Sequence, residues 1–247
     1  MSASSASSAA SPPLFQAPVA WLFSSLGKKT VVAVTGIALV LFVVGHLIGN
    51  LTIFLGPDAI NTYAMKLRDL GGLLWVIRLG LLAIVGLHIV FTMMVWKENR
   101  AARPQKYAVF SPMKTTVFAR TMRLTGLIVL AFIAFHLAHF TMLLVDPSFA
   151  NLHTEIDGRQ VHDVYSMVVL GFRNPLVSVF YIFSLALVAS HLSHGIGSLF
   201  QTLGLTTKTL RPVLETGGRV LAWLLFIGYA SIPVSILVFG LGKGIVK

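Results

Sequence analysis

Residues 35–47 read TGIALVLFVVGHL, and residues 125–137 read TGLIVLAFIAFHL. Both open on Thr-Gly, both carry Phe seven residues after the threonine (Phe42 and Phe132), and both reach His-Leu at one offset (His46 and His136). The other positions are apolar. A histidine in hydrocarbon is costly to place and marks function by default. Two at one offset in two similar helices mark a duplicated unit, and a duplicated apolar helix leaves few folds open.

The apolar character extends along the chain. Of 247 residues, 56% are hydrophobic and only 11% charged, too few charges for a soluble domain of this length. Five runs exceed the ~18 residues that read as a membrane span. They fall at roughly 30–55, 73–96, 123–145, 175–200 and 218–240. The expected fold is an all-α integral membrane protein, a five-helix bundle over residues 18–247. Residues 1–17 are Ser/Ala/Pro-rich and uncharged, and read as a disordered cytoplasmic tail. They lack the basic n-region of a secretory signal. Residues 18–29 read as an interfacial approach, with Trp21 and Phe23 at headgroup level and Lys28-Lys29 at the membrane edge. Pro233 would kink the last span. Cysteine is absent, which excludes disulfides, iron–sulfur ligation and C-x-x-C-H haem attachment, and leaves any metal to histidine or oxygen.

With the N-terminus inside, the inner segments hold twelve of the nineteen bases and two of the eight acids. The formal charge of +11 is then a topology signal with some pull on anionic lipid, and not a nucleic-acid footprint. Two outer connections are long. Residues 56–72 are patterned around Tyr63, Met65 and Leu67 as an amphipathic surface helix, and residues 146–174 are placed to cap the outer end of the bundle. The basic inner connection at 97–123 reads equally as a lipid-facing surface or as a docking surface for a cytoplasmic partner.

A second alignment completes the repeat. Residues 82–88 (LAIVGLH) match 185–191 (LALVASH) at Leu, Ala, Val and His. His88 and His191 should share a depth in the inner half, as His46 and His136 do in the outer half. The duplicated unit is a helical hairpin, spans one–two followed by spans three–four. At 1.5 Å per residue the two levels lie about 12 Å or more apart. The offsets select His136 over His139 and His191 over His194. The remaining pair, His139 and His194, reads as bundle hydrogen bonding. In the outer loop, His153 and His162 read as surface residues, with His162 in reach of an outer propionate or a quinone.

A lone membrane histidine ordinarily makes a packing hydrogen bond or relays protons. Four in two depth-matched pairs fit ligation instead, with an imidazole on each side of a flat haem. Gly36, Gly45, Gly49, Gly80, Gly86 and Gly126 would give that ring room, although small residues also serve plain helix contacts. The spans hold no Asp or Glu to relay protons, and the chain has no nucleophile–base arrangement, phosphate loop or dinucleotide fingerprint. Two stacked haems without substrate chemistry describe an electron conduit.

These residues resemble a known family, the single-chain, five-helix, di-haem cytochrome b membrane anchor subunit of type B succinate dehydrogenases and fumarate reductases. The resemblance runs from about residue 20 onward. It is carried by GHLIGN around His46, LHIVFT around His88, NRAARPQKY at 99–107, RLTG before His136 and HLSHGIGSLFQTLG at 191–204. It implies a flavoprotein subunit and an iron–sulfur subunit on the cytoplasmic face of a bacterial inner membrane. Electrons would pass to an inner haem b held by His88 and His191, then to an outer haem b held by His46 and His136. The acceptor or donor would be a membrane quinone, most naturally menaquinone, and a higher oligomer of the complex is compatible with the family. Where some members place a membrane glutamate two residues before the fourth ligand, this chain has Ala189. Candidates for propionate or quinone contacts are Ser25, Lys29, Arg123 and Gln201 on the inner side, and Asn50, His162, Tyr165 and Arg173 on the outer. The rivals are a di-haem anchor of a hydrogenase or formate dehydrogenase, and a haem-free transporter or proton channel built on a parallel repeat.

Overall fold

The computed structural model describes residues 16–102 and 117–246. Nearly all of the expected tail lies outside these residues, as does the middle of the basic connection. Among the described residues, five helical segments are long and apolar enough to cross a membrane: Ser25–Leu55, Gly72–Ala101, Ala119–Thr141, Pro175–Thr202 and Leu210–Leu237. The helices in chain order are α1 (Gln16–Leu22), α2 (Ser25–Leu51), α3 (Pro57–Arg68), α4 (Gly72–Ala101), α5 (Val117–His136), α6 (Val164–Arg173), α7 (Pro175–Thr202) and α8 (Leu210–Leu237). The only strands among the described residues are β1 (His153–Ile156) and β2 (Arg159–His162), an antiparallel hairpin turned by Asp157-Gly158.

The helices outrun the apolar stretches that mark them. α4 continues to Ala101 and α8 begins at Leu210, so Glu98 and Glu215 fall within helices that the sequence ends or starts inside the hydrocarbon. Hydropathy locates the part of a helix in lipid, whereas backbone hydrogen bonding continues into the interface. Neither carboxylate stands alone: Glu98 pairs with the buried Lys28, and Glu215 takes Arg211 one turn earlier at 2.7 Å.

Local chemistry sets the boundaries. Ser24 caps α2 by accepting from the Gly27 amide at 3.1 Å. Gly56, at φ 105°, turns the chain out of α2's terminal 3₁₀ turn into α3, which Pro57 opens. Asn174 accepts from the Leu176 and Val177 amides, and Pro175 starts α7. α5 loosens into a π turn, Leu137–Thr141, directly after His136.

α2 packs on α4, α5 on α7, and α7 on both α2 and α8. The α7–α8 contact is the most extensive, because Gly197 and Gly218 let the helices close. A Cβ on Gly218 would stand 2.7 Å from Ile196 Cγ2, and one on Gly197 would stand 3.2 Å from Glu215 Cγ. Leu41, Leu82, Leu127, Leu176 and Ile227 project outward, as lipid-facing residues do.

The larger core lies at one end, where α3, the β-hairpin and α6 cover the helix ends. Ile53, Ile60, Phe149, Tyr165, Val169, Phe172, Ile232 and Ile236 are buried there. α3 differs in detail from its expected pattern, since it turns Ile60, Asn61 and Met65 inward while Tyr63 lies over Gly49. Asp163 caps α6, accepting from the Ser166 amide at 3.0 Å and from Asn61 Nδ2 at 2.9 Å. Asn61 Oδ1 in turn accepts from the Tyr165 amide at 3.1 Å. A smaller cluster of Ala33, Ile196 and Leu199 closes the opposite end. The four histidines selected by the repeat lie between these clusters.

Candidate histidine site at two levels

The repeat places its chemistry residue by residue. At the level near the cap, here the upper level, His46 of α2 and His136 of α5 face each other with ring centroids 5.9 Å apart and planes at 81°. α2 and α5 are not closely packed helices, so the two side chains meet across a gap. The repeated phenylalanines lie one turn below them. Phe42 stacks on His46 at 5.3 Å, and Phe132 lies 6.1 Å from His136.

The Thr-Gly pairs belong to the other level. Thr35 Oγ1 lies 3.0 Å from His88 Nδ1, and a Cβ on Gly36 would stand 3.5 Å from His88 Cε1. One hairpin later Thr125 Oγ1 lies 3.4 Å from His191 Nδ1, and a Cβ on Gly126 would again stand 3.5 Å from the ring's Cε1. Each Thr-Gly thus serves the histidine of the next membrane helix. The matching threonine contacts set His88 and His191 at one level of the bundle. Thr35 and His46 are eleven residues apart on α2, as Thr125 and His136 are on α5, so the levels are about 16 Å apart.

The upper histidines have other partners. Tyr181 Oη of α7 lies 3.4 Å from His136 Nδ1 and 3.1 Å from His139 Nδ1. His139 is buried in that contact, the hydrogen-bonding place the sequence suggests. Asn50, one turn after His46, has Nδ2 3.3 Å from His46 Nε2, and would give up this contact if Nε2 ligated a metal. Tyr229 of α8 lies 6.1 Å from His46 and donates to the Val43 carbonyl at 2.7 Å.

An imidazole nitrogen ligates a metal at about 2 Å, so two rings sharing one ion have centroids about 6 Å apart. The upper pair has that centroid separation, with its planes at 81° and His46 Nε2 toward Asn50. Among the described residues no three His, Asp or Glu side chains converge to hold an ion by themselves. Two histidines per level suit a metal whose other positions a prosthetic ring fills, and the donor set fits a haem. Gly45, Gly80 and Gly86 are exposed and have no atom within 4 Å of a would-be Cβ. Gly49 does not belong with them: its would-be Cβ is 2.5 Å from the Tyr63 ring, so it serves α3. Ser184, two turns from His191 on one stripe of α7, has a buried hydroxyl without a hydrogen-bond partner among the described residues.

The candidate contacts at the membrane edges scatter. Ser25 Oγ lies 3.4 Å from Glu98, Lys29 and Gln201 are exposed, and Arg123 lies 4.5 Å over the Trp96 ring. His162 Nε2 lies 3.4 Å from Met167 Sδ, with His153 across the strand pair. Burial is the main influence on His162 and holds it below the ordinary histidine range. Tyr165 is 1% exposed inside the cap, and Arg173 donates to the Gly242 and Val246 carbonyls. Of the outer candidates, only Asn50 touches a site histidine.

Sequence reasoning missed Thr35, Thr125, Tyr181 and Tyr229 as site residues. The threonines carried a signal, since they recur, but they served only as alignment marks. Tyr181 has no counterpart in the repeat, where Arg78 stands in its place, and nothing local marks Tyr229. No protein-family model matches the chain, and neither a curated protein nor a solved structure matches it.

Proposed function

We propose that this chain is the membrane anchor and electron conduit of a succinate:quinone oxidoreductase. In this reading it binds two b haems, the upper between His46 and His136 and the lower between His88 and His191. The observation that carries the reading is the pair of histidine levels built by one repeated hairpin, each level with two imidazoles and, among the described residues, no third His, Asp or Glu converging on it. The motifs shared with the type B anchor family supply the enzyme: a flavoprotein handles succinate or fumarate, and an iron–sulfur subunit docks on the inner face. The lower level is then the inner haem and the upper the outer one, with a membrane quinone, by the family resemblance menaquinone, as the redox partner.

The iron of each bound haem supplies one-electron oxidation and reduction. The two histidine levels lie about 16 Å apart along the helices, and apolar helices would surround the groups they hold and exclude water. The inner-end bases, including Lys28, Lys29 and Arg123, favour a cytoplasmic N-terminus.

The test is a dithionite-reduced minus oxidised spectrum of the purified complex, read with the subunits that co-purify. The reading predicts b-type bands together with a flavoprotein and an iron–sulfur protein. A nickel or molybdenum subunit in their place would assign the chain to another respiratory complex, and the absence of b-type bands would end the haem reading.

A further inference from the structure

We infer that Thr35 and Thr125 are positioning residues that fix His88 and His191 as Nδ1–H tautomers and leave Nε2 of each ring as the ligating nitrogen. The inference rests on the haem reading above. A threonine hydroxyl has one hydrogen to give and lone pairs to accept with. Thr35 gives its hydrogen to the Val31 carbonyl one turn back, at 2.7 Å. What it presents to His88 Nδ1 at 3.0 Å is therefore a lone pair, and Nδ1 must carry the hydrogen that fills this contact.

A neutral imidazole has a single N–H, so Nε2 is left unprotonated. Thr125 repeats the arrangement. Its hydroxyl lies 3.1 Å from both the Thr121 and Met122 carbonyls and 3.4 Å from His191 Nδ1. Thr35 is 7% exposed and Thr125 4%, so water does not compete for the bonds.

An ordinary helical threonine needs only the carbonyl behind it. A second contact, to a histidine on the next membrane helix, recurs in both hairpins and has no counterpart at the upper level, where Tyr181 and Asn50 make the polar contacts. An acceptor on Nδ1–H makes Nε2 more basic, which favours ferric over ferrous iron. Removing that acceptor should raise the midpoint potential of the lower haem alone.

Thr35→Val and Thr125→Val keep the side-chain shape and delete the oxygen, while Thr35→Ser keeps the hydroxyl. The complex is titrated potentiometrically, with the lower component identified as the one that survives in His46→Ala. Each valine variant should raise that component and leave the other in place, and Thr35→Ser should titrate like the parent. A tenfold change in ferric-over-ferrous preference reads as about 59 mV. The paramagnetic spectrum of the ferric lower haem should change with it. Loss of the lower haem alone in Thr35→Val, with recovery in Thr35→Ser, would equally support the assignment. Unchanged titrations, a shift confined to the upper component, or loss of both haems in the valine and serine variants alike would overturn it. A parent complex without b-type absorption would overturn the haem reading itself, and this inference with it.

Discussion

Tyr181 draws the sharpest distinction between the two histidine levels. Its phenol lies between two imidazoles, His136 and His139, and has one hydrogen to give. If His136 ligates through Nε2 as proposed, His136 Nδ1–H would donate to Tyr181, and Tyr181 would donate to His139 Nδ1. Tyr181→Phe keeps the ring but strands a half-buried N–H, a loss of about 1–3 kcal/mol. The expected outcome is a raised midpoint for the upper haem, or its loss, with the lower haem unchanged. A potentiometric titration of the variant reads this directly. A shift at the lower level instead would show that the phenol acts through helix contacts and not through His136.

At the scale of elements, the T-G-x5-F-x3-H repeat made the hairpin legible, because a periodic pattern in an apolar helix survives without knowledge of its neighbours. Its four marked positions serve two levels: Thr and Gly touch the next membrane helix's histidine, and Phe and His form the level above. The spacing shows the recurrence of the threonine but not its partner, since the contact crosses 53 residues in one hairpin and 66 in the other. Tyr181, Tyr229 and Asn61 were illegible for the same reason, as each acts only through tertiary contact. Asn61 and Asp163 hold the cap across 102 residues.

Burial pushes the Asp163 carboxyl upward, but hydrogen bonds from Ser166 and Asn61 outweigh it and hold the group below the ordinary carboxylate range. A depressed folded value stabilises the cap above about pH 4. That contribution is lost as pH falls through the lowered value. The protection of amides in α3 and α6 against exchange, corrected for the intrinsic pH dependence of exchange, should therefore fall in acid. Asp163→Ala should remove this acid dependence and cost roughly 0.5–2 kcal/mol through the lost cap. Exchange that is equally pH-dependent in Asp163→Ala would assign the effect to another group.

At the scale of the whole molecule, the five long helices divide the labour unequally. α2, α4, α5 and α7 carry the four histidines, while α8 closes against α7 and reaches the upper level through Tyr229. The fifth helix is outside the repeat and belongs to the site all the same. The cap at one end and Lys28, Lys29 and Arg123 toward the other give the two ends different chemistry, as the proposed electron path between a docked protein and a membrane quinone would require. The most direct measurement is the haem content of the purified chain, by extraction, in the parent and in His46→Ala, His88→Ala, His136→Ala and His191→Ala. The account predicts two haems in the parent. It predicts one in each variant, with His46→Ala and His136→Ala losing the same spectral component and His88→Ala and His191→Ala losing the other. A parent without haem, or a pairing of losses that joins His46 to His88, would contradict it.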